Sequence, residues 1–102
     1  MKVVFLPSSD EDVRWFTRYY RSVFPGGRGK ARRRMAEVLA ILADNPQIGR
    51  TADDTGQREL PITNTPFALI YRVTADRIEI LRLWDGRANP DRLQAPDKEQ
   101  DL

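Results

Sequence analysis

The chain has neither cysteine nor histidine among its 102 residues. The first absence excludes disulfides and thiolate metal sites. The second removes the commonest general base and the commonest metal ligand, so neither a metal nor a cofactor is expected. No apolar run approaches the ~18 residues that a membrane span requires. The run Val3-Val4-Phe5-Leu6 is closed at once by Pro7-Ser8-Ser9-Asp10 and is too short for the core of a signal peptide. These absences predict a cytoplasmic protein with no membrane partner. Lysine is scarce too: only Lys2, Lys30 and Lys98 stand beside fourteen arginines.

What is present fits an ordinary globular chain, with 40% hydrophobic and 31% charged residues. Residues 1–93 are read as one domain and 94–102 as a polar tail. The net charge is +2, but Asp97, Glu99 and Asp101 sit in that tail, so residues 1–96 hold 16 basic against 12 acidic groups. Arginine suits bidentate pairing with phosphate or carboxylate, although arginine-rich composition also follows from GC-rich coding. Arg28, Lys30, Arg32, Arg33 and Arg34 fall together with no acid among them. On a helix most of them face away from the apolar stripe, toward an acidic protein, a nucleic acid or only solvent. No aromatic residue interleaves them to suggest stacked bases.

Periodicity orders the chain. Residues 3–6 read as a buried strand that Pro7 ends. Ser8 with Glu11, and Ser9 with Asp12, offer helix caps, and the acids at 10–12 suit the positive end of a helix dipole. Val13, Phe16, Tyr20, Val23 and Phe24 recur at spacings of three and four, one apolar helical face. Pro25-Gly26-Gly27 stops that helix. A second, over 29–44, turns Ala31, Met35, Val38, Leu39 and Leu42 inward, and Asn45-Pro46 ends it. Residues 47–57 read as an exposed loop. Alternation then predicts strands at 58–62, weakened by Pro61 and so at an edge, at 67–73 and at 78–84. In the last, Leu81 and Leu83 share one face with Glu79, while Ile78, Ile80, Arg82 and Trp84 share the other. The fold class is therefore α+β: a strand, a helical hairpin, then antiparallel strands, with the hairpin on one sheet face and the other face partly open.

This order resembles the RelE/ParE toxin superfamily. The residues that carry the resemblance are Leu42-Ala43-Asp44-Asn45-Pro46-Gln47-Ile48-Gly49-Arg50, then Arg58-Glu59-Leu60, Pro66-Phe67-Ala68-Leu69-Ile70-Tyr71-Arg72-Val73, and Ile78-Glu79-Ile80-Leu81-Arg82-Leu83-Trp84-Asp85-Gly86-Arg87. It implies a type II toxin neutralised by a cognate antitoxin, which lands in the hairpin groove or along the edge strand 58–62. Operator DNA would be reached only through that antitoxin. The superfamily splits by target: RelE-like members cut mRNA on the ribosome, whereas ParE-like members poison DNA gyrase.

RNA scission needs a 2′-hydroxyl deprotonated, a leaving oxygen protonated and a phosphorane neutralised. The RelE branch meets these needs with lysines or a glutamate, arginines and a C-terminal tyrosine or histidine. Here the strand that carries lysines reads Glu59-Leu60-Pro61, the strand arginine is replaced by Ala68, and the tail tyrosine falls near Leu93. Arg87 persists, Glu59 is a weak candidate base, and Asp85 stands where many relatives carry histidine, placed to orient Arg87 or only to cap a turn. The resemblance therefore leans to the ParE branch, whose mechanism needs a binding surface and no catalytic group. The residues assigned to that surface are Arg58, Arg72, Arg82, Trp84, Asp85 and Arg87. The alternatives are cross-strand pairing of Arg72 and Arg82 with acids such as Glu79, and core packing of Trp84.

Overall fold

Strands alternate in the C-terminal half and helices occupy the N-terminal half because the apolar period switches there from helical to two-residue. The computed structural model describes residues 1–52 and 54–87. The sequence-assigned tail 94–102, and Leu93, lie outside the described residues. The order is β1 (Lys2–Phe5), α1 (Asp10–Arg18), α2 (Arg28–Asp44), β2 (Arg50–Thr51), β3 (Arg58–Pro61), β4 (Phe67–Val73) and β5 (Arg77–Asp85). The strands form one sheet in the order β1-β5-β4-β3-β2. β5 to β2 are antiparallel, as anticipated, whereas β1 lies parallel to β5. The connection from β1 to β5 spans the whole chain between them, so a parallel pairing costs no tight turn.

The helices cover one face. Ala31, Val38 and Leu42 of α2 are buried with Tyr20, Phe67, Leu69, Tyr71, Ile78, Ile80 and Leu83, and Met35 and Leu39 pack partly against them. Tyr20 and Phe16 meet edge to face at 5.1 Å, and Phe16 meets Phe67 at 4.8 Å. The apolar face assigned to α1 breaks at its end: Val23 and Phe24 are exposed. The reason is a π-helical segment, Tyr19–Val23, followed by a 3-10 turn at Pro25–Gly27. A π turn holds more residues than an α turn, so the side chains beyond it rotate off the face.

Two further expectations are corrected. Neither serine caps α1. Ser9 Oγ donates to Leu6 O and Ser8 Oγ to Leu81 O, and residues Pro7–Ser9 form a 3-10 turn that joins directly into the helix. The segment 47–57 is not only loop. It contains β2, which pairs with Arg58 and Glu59, so β3 is not a free edge where it begins.

The face assignment of β5 is also corrected. Ile70 pairs with Arg82 but Tyr71 pairs with Ile80, leaving Leu81 unpaired in a bulge. The extra residue switches the alternation midway. Ile78, Ile80, Leu83 and Asp85 therefore turn to the helices, whereas Glu79, Arg82 and Trp84 turn to the open face.

The loop after α2 is tied down from inside. The Tyr71 hydroxyl accepts from Gly49 N and donates to Pro46 O, both at 2.8 Å. Arg58 donates to Gln47 O at 3.2 Å and Gly49 O at 2.7 Å. Gly49 is required for space: a Cβ there would stand 2.7 Å from the Tyr71 hydroxyl and 3.0 Å from Glu59 O. Asn45 Nδ2 closes the helix end on Ile41 O. Tyr71→Phe strands a buried N–H and a carbonyl, and is expected to cost about 1–3 kcal/mol in urea unfolding. Gly49→Ala, which forces Tyr71 aside, should cost a comparable ~1–3 kcal/mol. Unchanged unfolding midpoints in both variants would remove the clamp from the account.

Candidate interaction surface

Three strands meet on the open face through side chains that the pleat sends the same way. Trp84 stands opposite Ala68, Arg82 opposite Ile70, and Glu79 opposite Arg72. Glu59 faces the same side opposite Ile70, and Arg50 lies beside it. Apolar atoms of Ala68, Ile70, Pro61 and Trp84 thus form the middle, and ion pairs form the rim.

Each rim pair is specific. Glu79, itself buried, receives Arg72 at 2.7 Å and Arg77 at 2.7 Å. The Arg72 hydrogen bond first, and then that from Arg77, hold its carboxyl below the ordinary range. Arg50 donates to Glu59 at 2.6 Å. The Glu59 carboxylate is thereby committed to an ion pair, which is a poor setting for a base. Arg82 does not pair with Glu79. It grips Asp12 of α1 through Nε at 2.6 Å and a second nitrogen at 3.1 Å, and its guanidinium lies 5.3 Å from the Trp84 ring. That hydrogen bond from Arg82 to Asp12 raises the arginine's proton affinity.

At the end of β5 a second cluster forms. Asp85 Oδ1 accepts from the backbone N–H and Nε of Arg87, both at 3.0 Å. Oδ2 accepts from Arg87 at 2.8 Å and from Trp15 Nε1 at 2.9 Å. The Arg87 guanidinium lies 4.4 Å over the Tyr19 ring and donates to its hydroxyl at 3.1 Å. Arg87 chiefly, then Trp15, bring the Asp85 carboxyl down to about 2 in spite of its burial. The same contact with Asp85 pushes the Arg87 proton affinity up. Burial raises the neighbouring Tyr20 hydroxyl.

The residues picked from sequence are therefore divided. Arg72, Arg82, Trp84 and Glu59 share the open face. Asp85 and Arg87 sit at its end, joined to α1. Arg58 lies on the helix side and holds the 47–49 loop. The alternative weighed for the arginines, cross-strand pairing with an acid such as Glu79, applies to Arg72 only; Arg82 pairs with Asp12 of α1. Trp84 is half-buried and is a wall of two concavities. One, of about 510 Å³, also takes in Trp15, Arg14 and Arg18. The other, of about 470 Å³, takes in Ile70, Glu59 and Gln57. Sequence reasoning missed Asp12, Trp15 and Tyr19. In the sequence Asp12 reads as a capping and dipole acid, and Trp15 and Tyr19, which lie off the apolar stripe, have no assigned role. A separate apolar groove of about 370 Å³ runs between the helices over Phe5, Val13, Phe16, Met35 and Leu39, with Ala36 and Arg32 on its border.

The comparisons with known proteins follow this geometry. A family model described as the ParE toxin of the type II toxin–antitoxin system parDE matches residues 3–90. A solved structure of a chromosomal ParDE toxin–antitoxin system from P. aeruginosa is 26% identical, superposes with a TM-score of 0.63, and covers 81% of this chain and 92% of its own. A search of curated proteins finds no match. No helix among the described residues is long and apolar enough to cross a membrane.

The depressed Asp85 value has a definite sign. The ionised carboxylate favours the folded state, so its contribution is full above the usual 3.8 and fades as pH falls toward about 2. With Arg87 half-exposed, screening reduces that contribution to on the order of 1–2 kcal/mol. Asp85→Asn should remove this component, so wild type and variant should differ in stability near neutral pH and converge at acid pH. A gap that stays constant across the titration would show that the pair is not the source.

Proposed function

The chain belongs to the ParE toxin family, and from that membership we propose that it inhibits DNA gyrase, acts in the cytoplasm and is neutralised by a cognate antitoxin. As a type II toxin it has an antitoxin partner; operator DNA would be reached through that partner alone. The observation that carries the gyrase reading is the chemistry of the open face. Every carboxylate described there is already paired with arginine, histidine is absent from the chain, and position 68 is alanine. No group there is poised to take a proton from a 2′-hydroxyl. What the face does offer is an aromatic anchor, Trp84, between two concavities and within a charged rim, the usual arrangement of a protein-binding hot spot.

The helical groove supports the antitoxin reading better than the strand edge does. β2 already covers the first half of β3, and Pro61 has no N–H to give an added strand. The groove instead presents apolar side chains, including the partly exposed Phe5, to an amphipathic segment that orders on binding.

Expression without a partner is expected to arrest growth, and the purified chain to inhibit gyrase supercoiling. Trp84→Ala should retain the fold by circular dichroism and raise the inhibitory concentration by about ten-fold or more. Ribosome-dependent cuts at defined codons with gyrase untouched would replace this reading with the RelE-type one. Ala36→Arg, on the exposed border of the groove, should stay toxic but escape rescue by the antitoxin. Full rescue of that variant would move the antitoxin elsewhere.

A further inference from the structure

Phe24 is distant from the basic cluster in the apolar pattern, but the hairpin turn brings it there. Phe24, Lys30, Arg33, Arg34, the acid Glu37 and Asn64 line a concavity of about 460 Å³ between the start of α2 and the β3–β4 turn. That volume falls within the ~300–1,000 Å³ of small-ligand clefts. Arg34 is paired with Glu37 at 3.2 Å. Lys30 and Arg33 are exposed and have no ion pair among the described residues. Phe24 is 52% exposed. Its ring lies against Gly27, where an added Cβ would collide with it. Among the described residues Asn64 is the one non-glycine residue with positive φ, at 62°, and its side chain is exposed in the turn.

Lys30 and Arg33 make no ion pair among the described residues, whereas Arg34 is spent on Glu37 and Phe24 packs only partly, 6.3 Å from the Tyr20 ring. A half-exposed phenylalanine buries little area, and cations in the first turns of α2 oppose the helix dipole. Together they supply what a nucleotide needs: two free cations for phosphate, a flat ring for a base, and an amide with both donor and acceptor for a base edge. We infer that this concavity binds single-stranded nucleic acid, with a base stacked on Phe24 and the adjoining phosphate between Lys30 and Arg33. An acidic peptide would also use the cations and the amide; the flat ring beside two unpaired cations is what favours a base with its phosphate. This site is separate from the open sheet face and does not rest on the gyrase reading.

Fluorescence anisotropy of a labelled short oligothymidylate with the purified full chain tests the inference. Binding is expected at low salt and to weaken as salt rises. The double variant Lys30→Ala, Arg33→Ala should lower the logarithmic salt slope by about 0.7, for one lost single-strand phosphate contact. Phe24→Leu should weaken binding at least about five-fold, the low end of one stacked base. The salt slope of the cation variant carries the test alone should Phe24→Leu disturb the turn. Absence of saturable binding overturns the inference. So does polyglutamate binding as tightly as the oligonucleotide with no effect of Phe24→Leu, which would assign the pocket to an acidic protein segment. Preference for duplex over single strand overturns it as well.

Discussion

β5 is longer than the strand beside it, and much of the architecture answers that mismatch. β1 pairs with β5 only as far as Ile80, because Pro7 ends the strand. Beyond that point the outer edge of β5 would present unpaired backbone groups. The turn before α1 and α1 itself each satisfy one: Ser8 Oγ donates to Leu81 O and Asp12 accepts from Leu83 N at 3.0 Å, while Trp15 Nε1 reaches the Asp85 side chain. The start of a helix thus stands in for part of a strand. The acids at its start look like dipole partners, but Asp12 does more: the same carboxylate that receives Leu83 N also holds Arg82. An edge constraint of the backbone thereby fixes the geometry of two functional candidates, Arg82 and Asp85.

A second constraint explains why the family was recognisable and the target was not. Most of the phrases that carried the resemblance converge on one internal clamp. Asn45 ends α2, Pro46 and Gly49 bracket the Tyr71 hydroxyl, and Arg58 holds two carbonyls of the same loop. Those residues are needed to fold the domain whatever it binds. Arg58 is the instructive case: an arginine that opens a strand looks like a surface for a partner, yet its donors are spent on Gln47 and Gly49. Motifs of this kind report the fold and are silent about gyrase or ribosome.

The legible part of the fold rested on uninterrupted periodicity. α2 and β4 were read within a residue of their ends, with their inward faces correct, because nothing breaks their phase. Where one residue is inserted the phase is lost. The π segment at 19–23 turns Val23 and Phe24 outward, and the bulge at Leu81 reverses the faces of half of β5. Either insertion is invisible to a period count, since the residues on both sides remain apolar at plausible spacing. The candidate surface suffered most, because Arg82, Trp84 and Asp85 lie just past the bulge. Asp12, Trp15 and Tyr19 were hidden for another reason: their partners are some seventy residues away, a separation at which local pattern carries no signal.

The Asp85–Arg87 cluster bears on mechanism through its own rigidity. A guanidinium that is to stabilise a phosphorane must be free to turn toward it and must lose little by leaving its resting partner. Arg87 has a bidentate grip on Asp85, stacks on Tyr19 and donates to the Tyr19 hydroxyl. Leaving would strand a carboxylate already pinned by Trp15, at a cost on the order of the 1–2 kcal/mol that the screened pair contributes. The cluster is thus built to hold the end of β5 against α1. With Arg87 so placed and Ala68 where a second cation would be needed, positive charge near the centre of the face is left to Arg72 and Arg82, both committed to carboxylates of their own. A surface whose strand carboxylates are each held by an arginine presents shape and an indole ring to a partner. That favours recognition over bond cleavage.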